Sequence, residues 1–170
     1  MSKNLVLYFS RKGENYCAGA IKSLEKGNTE RAAEYIAEAV DGDLFELETV
    51  EAYPASYSAC TDQAKEELRA NARPKLVALP DVSGYDTVFL GYPNWWGTFP
   101  MPVATALEAL DLAGRRICPF CTNEGSGLGS SERDIERLAA GATVCSGLAV
   151  TGHKVEASRA QIMDWAKKLN

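Results

Sequence analysis

One histidine, His153, stands among 170 residues. A lone imidazole excludes multi-histidine metal centres and leaves no setting for a Ser-His-Asp triad, although Ser126, Ser130 and Ser131 are available as hydroxyls. Placed after a glycine at the end of an apolar run, His153 is expected to be solvated and without a role. No apolar stretch approaches the ~20 residues of a membrane span. Met1-Ser2-Lys3-Asn4 leads into an apolar run too brief for a secretory signal, so a cytoplasmic location is expected. Basic residues are not in excess: 18 Lys and Arg face 23 Asp and Glu, for a net charge of −5. That balance argues against a nucleic-acid or anionic-membrane partner, which would favour a basic face. The first strand-to-helix junction lacks both GxxxxGK[ST] and GxGxxG, so it is neither a P-loop nor a dinucleotide fingerprint. The five cysteines, Cys17, Cys60, Cys118, Cys121 and Cys145, are an odd number, which suits free thiols in a reducing compartment.

What is present alternates. Leu5–Ser10 is a short apolar run with the character of a strand buried on both faces. Residues 28–40 place Ala32, Ala33, Ile36, Ala37 and Val40 on one helical stripe, with Asn28 as the expected N-cap. A strand near a sheet edge is expected over 43–50 and a charged helix over 60–72, ended by Arg73-Pro74. Strands at 86–93, 115–122 and 142–150 then alternate with helices at 102–110, 130–140 and 158–169. The succession predicts an α/β fold: one domain over 1–170, built on a five-stranded parallel sheet with helices on both faces. Ligands of such sheets sit beyond the carboxyl ends of the strands, where the strand order reverses.

Three segments fall there. The first, Ser10 to Thr29, takes roughly seventeen residues where α/β loops usually take about two to six. It offers Ser10, Arg11 and Asn15 at one end and Asn28 and Thr29 at a helix start, whose free N–H groups and dipole suit a phosphate. The same residues also serve as an ordinary strand end and helix cap. Between them, Ala20, Ile21 and Leu24 fit the spacing of a short helix. The second segment holds Pro93, Asn94, Trp95, Trp96, Gly97 and Thr98. Two adjacent tryptophans cannot easily face one packed surface, so at least one is expected to be free for a flat ligand. The third, Thr122, Asn123, Glu124, Gly125, Ser126 and Gly127, is a glycine-rich turn able to wrap a ring with main-chain groups. Cys118-Pro-Phe-Cys121 has the form of a thiol motif, but residues three apart in a strand point to opposite faces, so these sulfurs should not meet. The Lys65-Glu66-Glu67 run with Arg69 is expected to be a solvated helical face.

In order and placement, "YFSRKGENY", "GNTE", "YPASYSACTDQAKEE", "YDTVFLGYPNWWGTFP" and "PFCTNEGSGLGSS" resemble the short bacterial members of the flavodoxin family over nearly the whole chain. The resemblance implies a flavodoxin-like doubly wound sheet of order 2-1-3-4-5 and FMN as cofactor. It implies that the phosphate sits by Ser10, Asn28 and Thr29, and that the ribityl chain passes Thr122. The flavin ring would then lie between the 93–98 and 123–127 loops. Arg11 and Asn15 become candidates to close over the phosphate, Arg11 as a two-toothed fork. The expected function is electron carriage on the flavin, with redox proteins or NAD(P)H as partners. The alternative is an NAD(P)H-dependent flavin or quinone oxidoreductase, and a receiver-like signalling module is a distant third. Many relatives have His-Gly where this chain has Asn123-Glu124, which makes Glu124 either a nearby charge on the flavin or an exposed loop carboxylate.

Overall fold

The computed structural model describes residues 3–170. The first strand, β1 (Asn4–Tyr8), is buried at every position, the polar Asn4 at its start as well as the apolar run from Leu5. A hairpin follows, β2 (Gly13–Cys17) and β3 (Ala20–Leu24), paired antiparallel from Gly13↔Leu24 to Cys17↔Ala20. This corrects the short helix expected from Ala20, Ile21 and Leu24. The turn decides it: Ala18 (φ 51°) and Gly19 (φ 87°) both lie in the left-handed region, the two-residue turn whose twist matches an antiparallel pair.

Helix α1 (Asn28–Val40) buries Thr29, Ala32, Ala33, Ile36, Ala37 and Val40, the stripe seen in the sequence. Its N-cap is Gly27 rather than Asn28, which is the first helical residue. Strand β4 (Asp43–Glu46) and helix α2 (Tyr57–Arg69) follow. Then come β5 (Thr87–Pro93), α3 (Met101–Ala109), β6 (Arg116–Asn123) and α4 (Ser131–Leu138). The last elements are β7 (Thr143–Val144), β8 (Leu148–Thr151), a single 3-10 turn (Gly152–Lys154) and α5 (Arg159–Leu169).

The main sheet runs β4-β1-β5-β6-β7, with β8 also on β6, and all its pairings are parallel. Taking β7 and β8 together as the fifth strand gives the expected 2-1-3-4-5. The split has a cause in the neighbouring strand. β6 pairs Ile117 with Val144 and resumes at Phe120 with Leu148, so Cys145-Ser146-Gly147 bow out opposite Cys118-Pro119. Pro119 has no N–H to give the ladder at that point.

One face of the sheet packs against α1 and α5 through Val6, Phe89, Phe120, Ile36 and Ile162. The other carries Leu5, Leu7, Leu90 and Ile117 against Val103, Ala106 and Ile135 of α3 and α4. Cys118 belongs to the first layer and Cys121 to the second, so the two sulfurs lie on opposite faces, as the strand geometry demands. All five cysteines are free thiols. No helix among the described residues is long and apolar enough to cross a membrane.

Candidate functional site

The switch in strand order falls between β1 and β5, and the segments leaving β1, β5, β6 and β8 gather at their carboxyl ends. At β1, the long insertion returns to its start. A Cβ on Gly27 would lie 2.2 Å from the Ser10 hydroxyl and 2.7 Å from the Arg11 carbonyl oxygen, so only glycine allows the two chain ends to touch. Ser10 Oγ accepts the Glu30 N–H at 3.1 Å and thereby caps α1 from outside the helix, which accounts for the lack of a capping side chain at Gly27. Asn28 and Thr29 are left as the first turn of α1, whose N–H groups have no intrahelical acceptor. Thr29 Oγ1 lies 2.7 Å from Thr122 Oγ1, tying the helix start to the end of β6; both side chains are buried.

Arg11 turns away from a two-toothed grip on a ligand. Nε donates to the Glu14 carbonyl (3.0 Å), and Nη2 to the carbonyls of Pro54 and Ala55 (2.9 and 3.0 Å). Three carbonyls thus occupy the edge that a fork would use, and Nη1 remains. Asn15 spends its amide on the carbonyls of Arg11 and Gly13. Glu14 accepts the Tyr57 N–H at 3.1 Å, joining the hairpin to the start of α2.

At β5 the two tryptophans divide. Trp95 packs edge-on against Phe9 and Tyr53, with ring centroids 5.3 and 5.1 Å apart. Trp96 has φ 58°, is half exposed, and donates its indole N–H to the Thr61 carbonyl of α2 at 2.9 Å. The loop is braced from within: the Gly97 N–H donates to Asn94 Oδ1 (2.9 Å), and Gly97 O accepts the Ser130 N–H (2.8 Å). Thr98 is buried and donates to Asp134.

At β6, Asn123 holds the turn by accepting the Gly125 N–H at 2.9 Å. Glu124 is a clamp rather than an exposed carboxylate, its side chain only 16 % exposed. It accepts the Ala18 N–H at the hairpin tip (2.6 Å), the His153 N–H (3.2 Å), and a bond from His153 Nδ1 (2.9 Å). Burial pushes the carboxyl up, but these donors outweigh it and hold Glu124 below the ordinary carboxylate range. His153, expected to be solvated and idle, is therefore a bonded partner of this loop. The two are 29 residues apart in sequence, and only the tertiary fold brings them together.

These segments enclose a cleft of about 240 Å³. Of the residues anticipated from sequence, Arg11, Asn15, Asn28 and Thr29 line one side; Pro93, Asn94 and Trp95 a second; and Thr122, Asn123, Glu124 and Ser126 a third. Ser10 acts behind this wall as the helix cap. Gly97, Thr98, Gly125 and Gly127 brace the loops without lining the cleft, and Trp96 lines a neighbouring one. Tyr16, Tyr57 and Gly152 complete the wall and were not anticipated. The signal for Gly152 was its position after the last strand: a Cβ there would sit 2.7 Å from Asn28 Nδ2. Among the described residues no group of three or more His, Cys, Asp or Glu is placed to hold a metal ion.

The sequence profile of the flavodoxin family matches residues 19–169. None of the curated proteins compared with the chain matches it. Among solved structures, a protein described as a flavoprotein, from Bacteroides uniformis ATCC 8492, shares 29% identity with 98% of each chain covered and a TM-score of 0.76. A flavoprotein from Lactobacillus acidophilus NCFM, solved in complex with FMN, shares 23% identity over 92% of this chain and 98% of its own, with a TM-score of 0.69. Oxidised flavodoxin 2 from Bacillus cereus shares 22% over 98% of this chain and 99% of its own, with a TM-score of 0.53. For the last two the likeness is one of fold. The profile spans all but the first strand and part of the hairpin, and the strand order and the crevice at its reversal agree with it: the chain belongs to the flavodoxin family.

Proposed function

We propose that the protein binds FMN in this cleft and carries electrons on it between redox partners. The observation that carries the reading is the convergence of two unlike walls. One is the open first turn of α1, with Asn28, Thr29 and the Thr29–Thr122 hydroxyl pair; the other is the aromatic side chain of Trp95 beside Asn94. The first offers neutral donors and a helix dipole to a phosphate. The second offers an aromatic neighbour to a ring. Glu124 also lines the cleft, yet its oxygens are engaged by Ala18 and His153, so its charge is met before a ligand arrives. The residues present therefore fit FMN. The structure of the Lactobacillus flavoprotein with FMN supports the same reading.

The bound flavin would supply the electron-holding chemistry. The chain's own task is to hold its phosphate and shield its ring. The ends of β1 and β5 present Ser10 and Asn94, not the acidic cluster that a receiver needs, which sets the signalling reading aside. The five free thiols suit a reducing compartment such as the cytoplasm. One feature favours the alternative, an NAD(P)H-dependent flavin or quinone oxidoreductase: a second cleft adjoins the first and shares Arg11, Asn15, Tyr57, Asn94 and Trp95 with it. The deciding experiment is an FMN titration of flavin-free protein, followed by reduction with NADH, with NADPH, and with a flavodoxin reductase. A one-to-one yellow complex reduced only by the reductase is the expected result. No FMN binding refutes the cofactor assignment, and steady NAD(P)H turnover refutes the pure carrier.

A further inference from the structure

Of the five thiols, two are set side by side by the sheet. The register of β6 with β7 runs Arg116↔Thr143 and Ile117↔Val144, and the Cys145 N–H still donates to the Ile117 carbonyl at 2.9 Å. The next position across is therefore Cys118 opposite Cys145. Ile117 and Val144 pack into the layer of α3 and α4, Cys118 and Cys145 into that of α1 and α5, so both sulfurs leave the sheet on one face. Cys145 is also the neighbour that, with burial, holds the Cys118 thiol protonated. Cys121 lies on the opposite face, and Cys17 and Cys60 sit on the hairpin and on α2.

We propose that Cys118 and Cys145 form a modification site, a dithiol that peroxide oxidises to a cross-strand disulfide and that a thiol reductant restores. The site is independent of the assignment of FMN to the cleft.

Spacing, local freedom and unequal access suit the pair to this step. Adjacent strands lie about 4.7–4.9 Å apart, within the about 4.4–6.8 Å that bridged Cα atoms span. The Cβ atoms must then close to about 3.8 Å. The chain can yield there, because β7 ends at Val144 and Cys145-Ser146-Gly147 bow out of the ladder before pairing resumes at Leu148. Cys118 is fully buried and Cys145 half-buried, so peroxide meets Cys145 first. The Cys145 thiolate attacks one peroxide oxygen and the O–O bond breaks. The sulfur becomes a sulfenic acid, and the departing hydroxide takes up the proton the thiol had released, as water. Cys118 then attacks the Cys145 sulfur. The S–S bond forms, the S–O bond breaks, and the Cys118 proton leaves with the oxygen as a second water. Two electrons thus pass from the two sulfurs to one peroxide. A protonated Cys118 serves the second step, since it carries the proton that the leaving oxygen needs. The new bond pins β7, a strand of two residues, to β6.

The test is peptide mapping of the folded full chain after treatment with hydrogen peroxide. Catalase removes the peroxide, iodoacetamide in urea blocks the remaining thiols, and the digest is run without reductant. We expect one disulfide joining the peptides of Cys118 and Cys145, a chain lighter by about 2 Da, and both thiols back after dithiothreitol. Cys118→Ala removes the second thiol, so dimedone should trap at least tenfold more sulfenic acid at Cys145 than in the wild type. If that variant does not fold, the wild-type map decides alone. Oxidation of Cys145 to sulfinic acid beside an intact Cys118 thiol overturns the proposal. So does a main product joining either residue to Cys17, Cys60 or Cys121, or the absence of change at both. A Cys118–Cys145 bond that forms only when peroxide is added in urea overturns it too, because the folded register would then not be what pairs them. In the oxidised chain, hydrogen exchange at the Cys145 amide should slow at least tenfold; unchanged exchange refutes the pinning of β7.

Discussion

Glu124 gathers three donors from two otherwise separate segments, so replacing it should loosen the hairpin tip more than the sheet. In Glu124→Ala, the Ala18 N–H, the His153 N–H and the His153 ring lose their acceptor. A hydrogen bond to a charged group contributes about 1.5–3 kcal/mol. The three do not add in full, because Ala18 and His153 are exposed and water can take over part of the bonding. The net loss should be near the value of one such bond, about 2 kcal/mol. Most of it should appear locally, since β2 and β3 bury little beyond Cys17. The assay is amide hydrogen exchange. At ~1.4 kcal/mol per factor of ten, the opening equilibrium at Ala18 should rise about thirtyfold, with amides in β1 and β5 unchanged.

The pH dependence provides a second reading of the same contact. The folded-state pKa of Glu124 is depressed below its ordinary 4.5. A group of that kind contributes stability that is fully present above the unfolded value and lost as pH falls through the folded one. The difference in unfolding free energy between wild type and variant should therefore be flat above about pH 6 and shrink on acidification below the ordinary carboxylate range. A difference that is constant down to low pH, or unaltered exchange at Ala18, would show that the carboxylate does not hold the hairpin.

Other outcomes follow from close approaches and burial. Gly27→Ala puts a Cβ 2.2 Å from Ser10 Oγ; overpacking of this kind costs about 1–3 kcal/mol, and with the helix start displaced, FMN affinity in titration should fall about tenfold or more. Gly91→Ala drives a Cβ to within 2.2 Å of the Phe120 ring in the middle of the sheet, so chemical denaturation should show a loss of about 1–3 kcal/mol with no specific effect on ligand binding. Burial pushes the Cys121 thiol up to about 12, and burial with the Cys145 neighbour does the same for Cys118, so neither should react with a thiol reagent at pH 8 in the native state, while both react after unfolding.

The parts legible in sequence are those whose signal is local and periodic. Helix α1 shows its buried stripe outright, and β1 and β5 are short apolar runs, so the alternation and its parallel sheet follow. The hairpin was misread because Ala20, Ile21 and Leu24 satisfy a helical spacing with three residues, too few to outweigh a turn. Its deciding cue, left-handed backbone at Ala18-Gly19, has a weaker sequence signature than Asn-Gly. The break between β7 and β8 has its cause in Pro119, more than twenty residues upstream on another strand. The Glu124–His153 pair, the Ser10 cap on α1 and the parting of Trp95 from Trp96 are likewise tertiary. In each case a side chain is answered by a segment far along the chain.

That pattern bears on why the insertion is a hairpin at all. A helix between Ser10 and Asn28 would need an apolar face to bury, and residues 11–27 supply few apolar side chains. A two-stranded ribbon satisfies its main chain internally and needs only points of attachment. The structure provides polar ones: Glu14 to the Arg11 side chain through its carbonyl and to the Tyr57 N–H through its carboxylate, and Ala18 to Glu124. Polar attachment is weaker than core burial and more readily reversed, so this segment flanking the cleft, with Cys17 its one buried side chain, is lightly tied to the core. Arg11 and Asn15, at its root, line both clefts. The length of the excursion is thus spent on a wall that two clefts share.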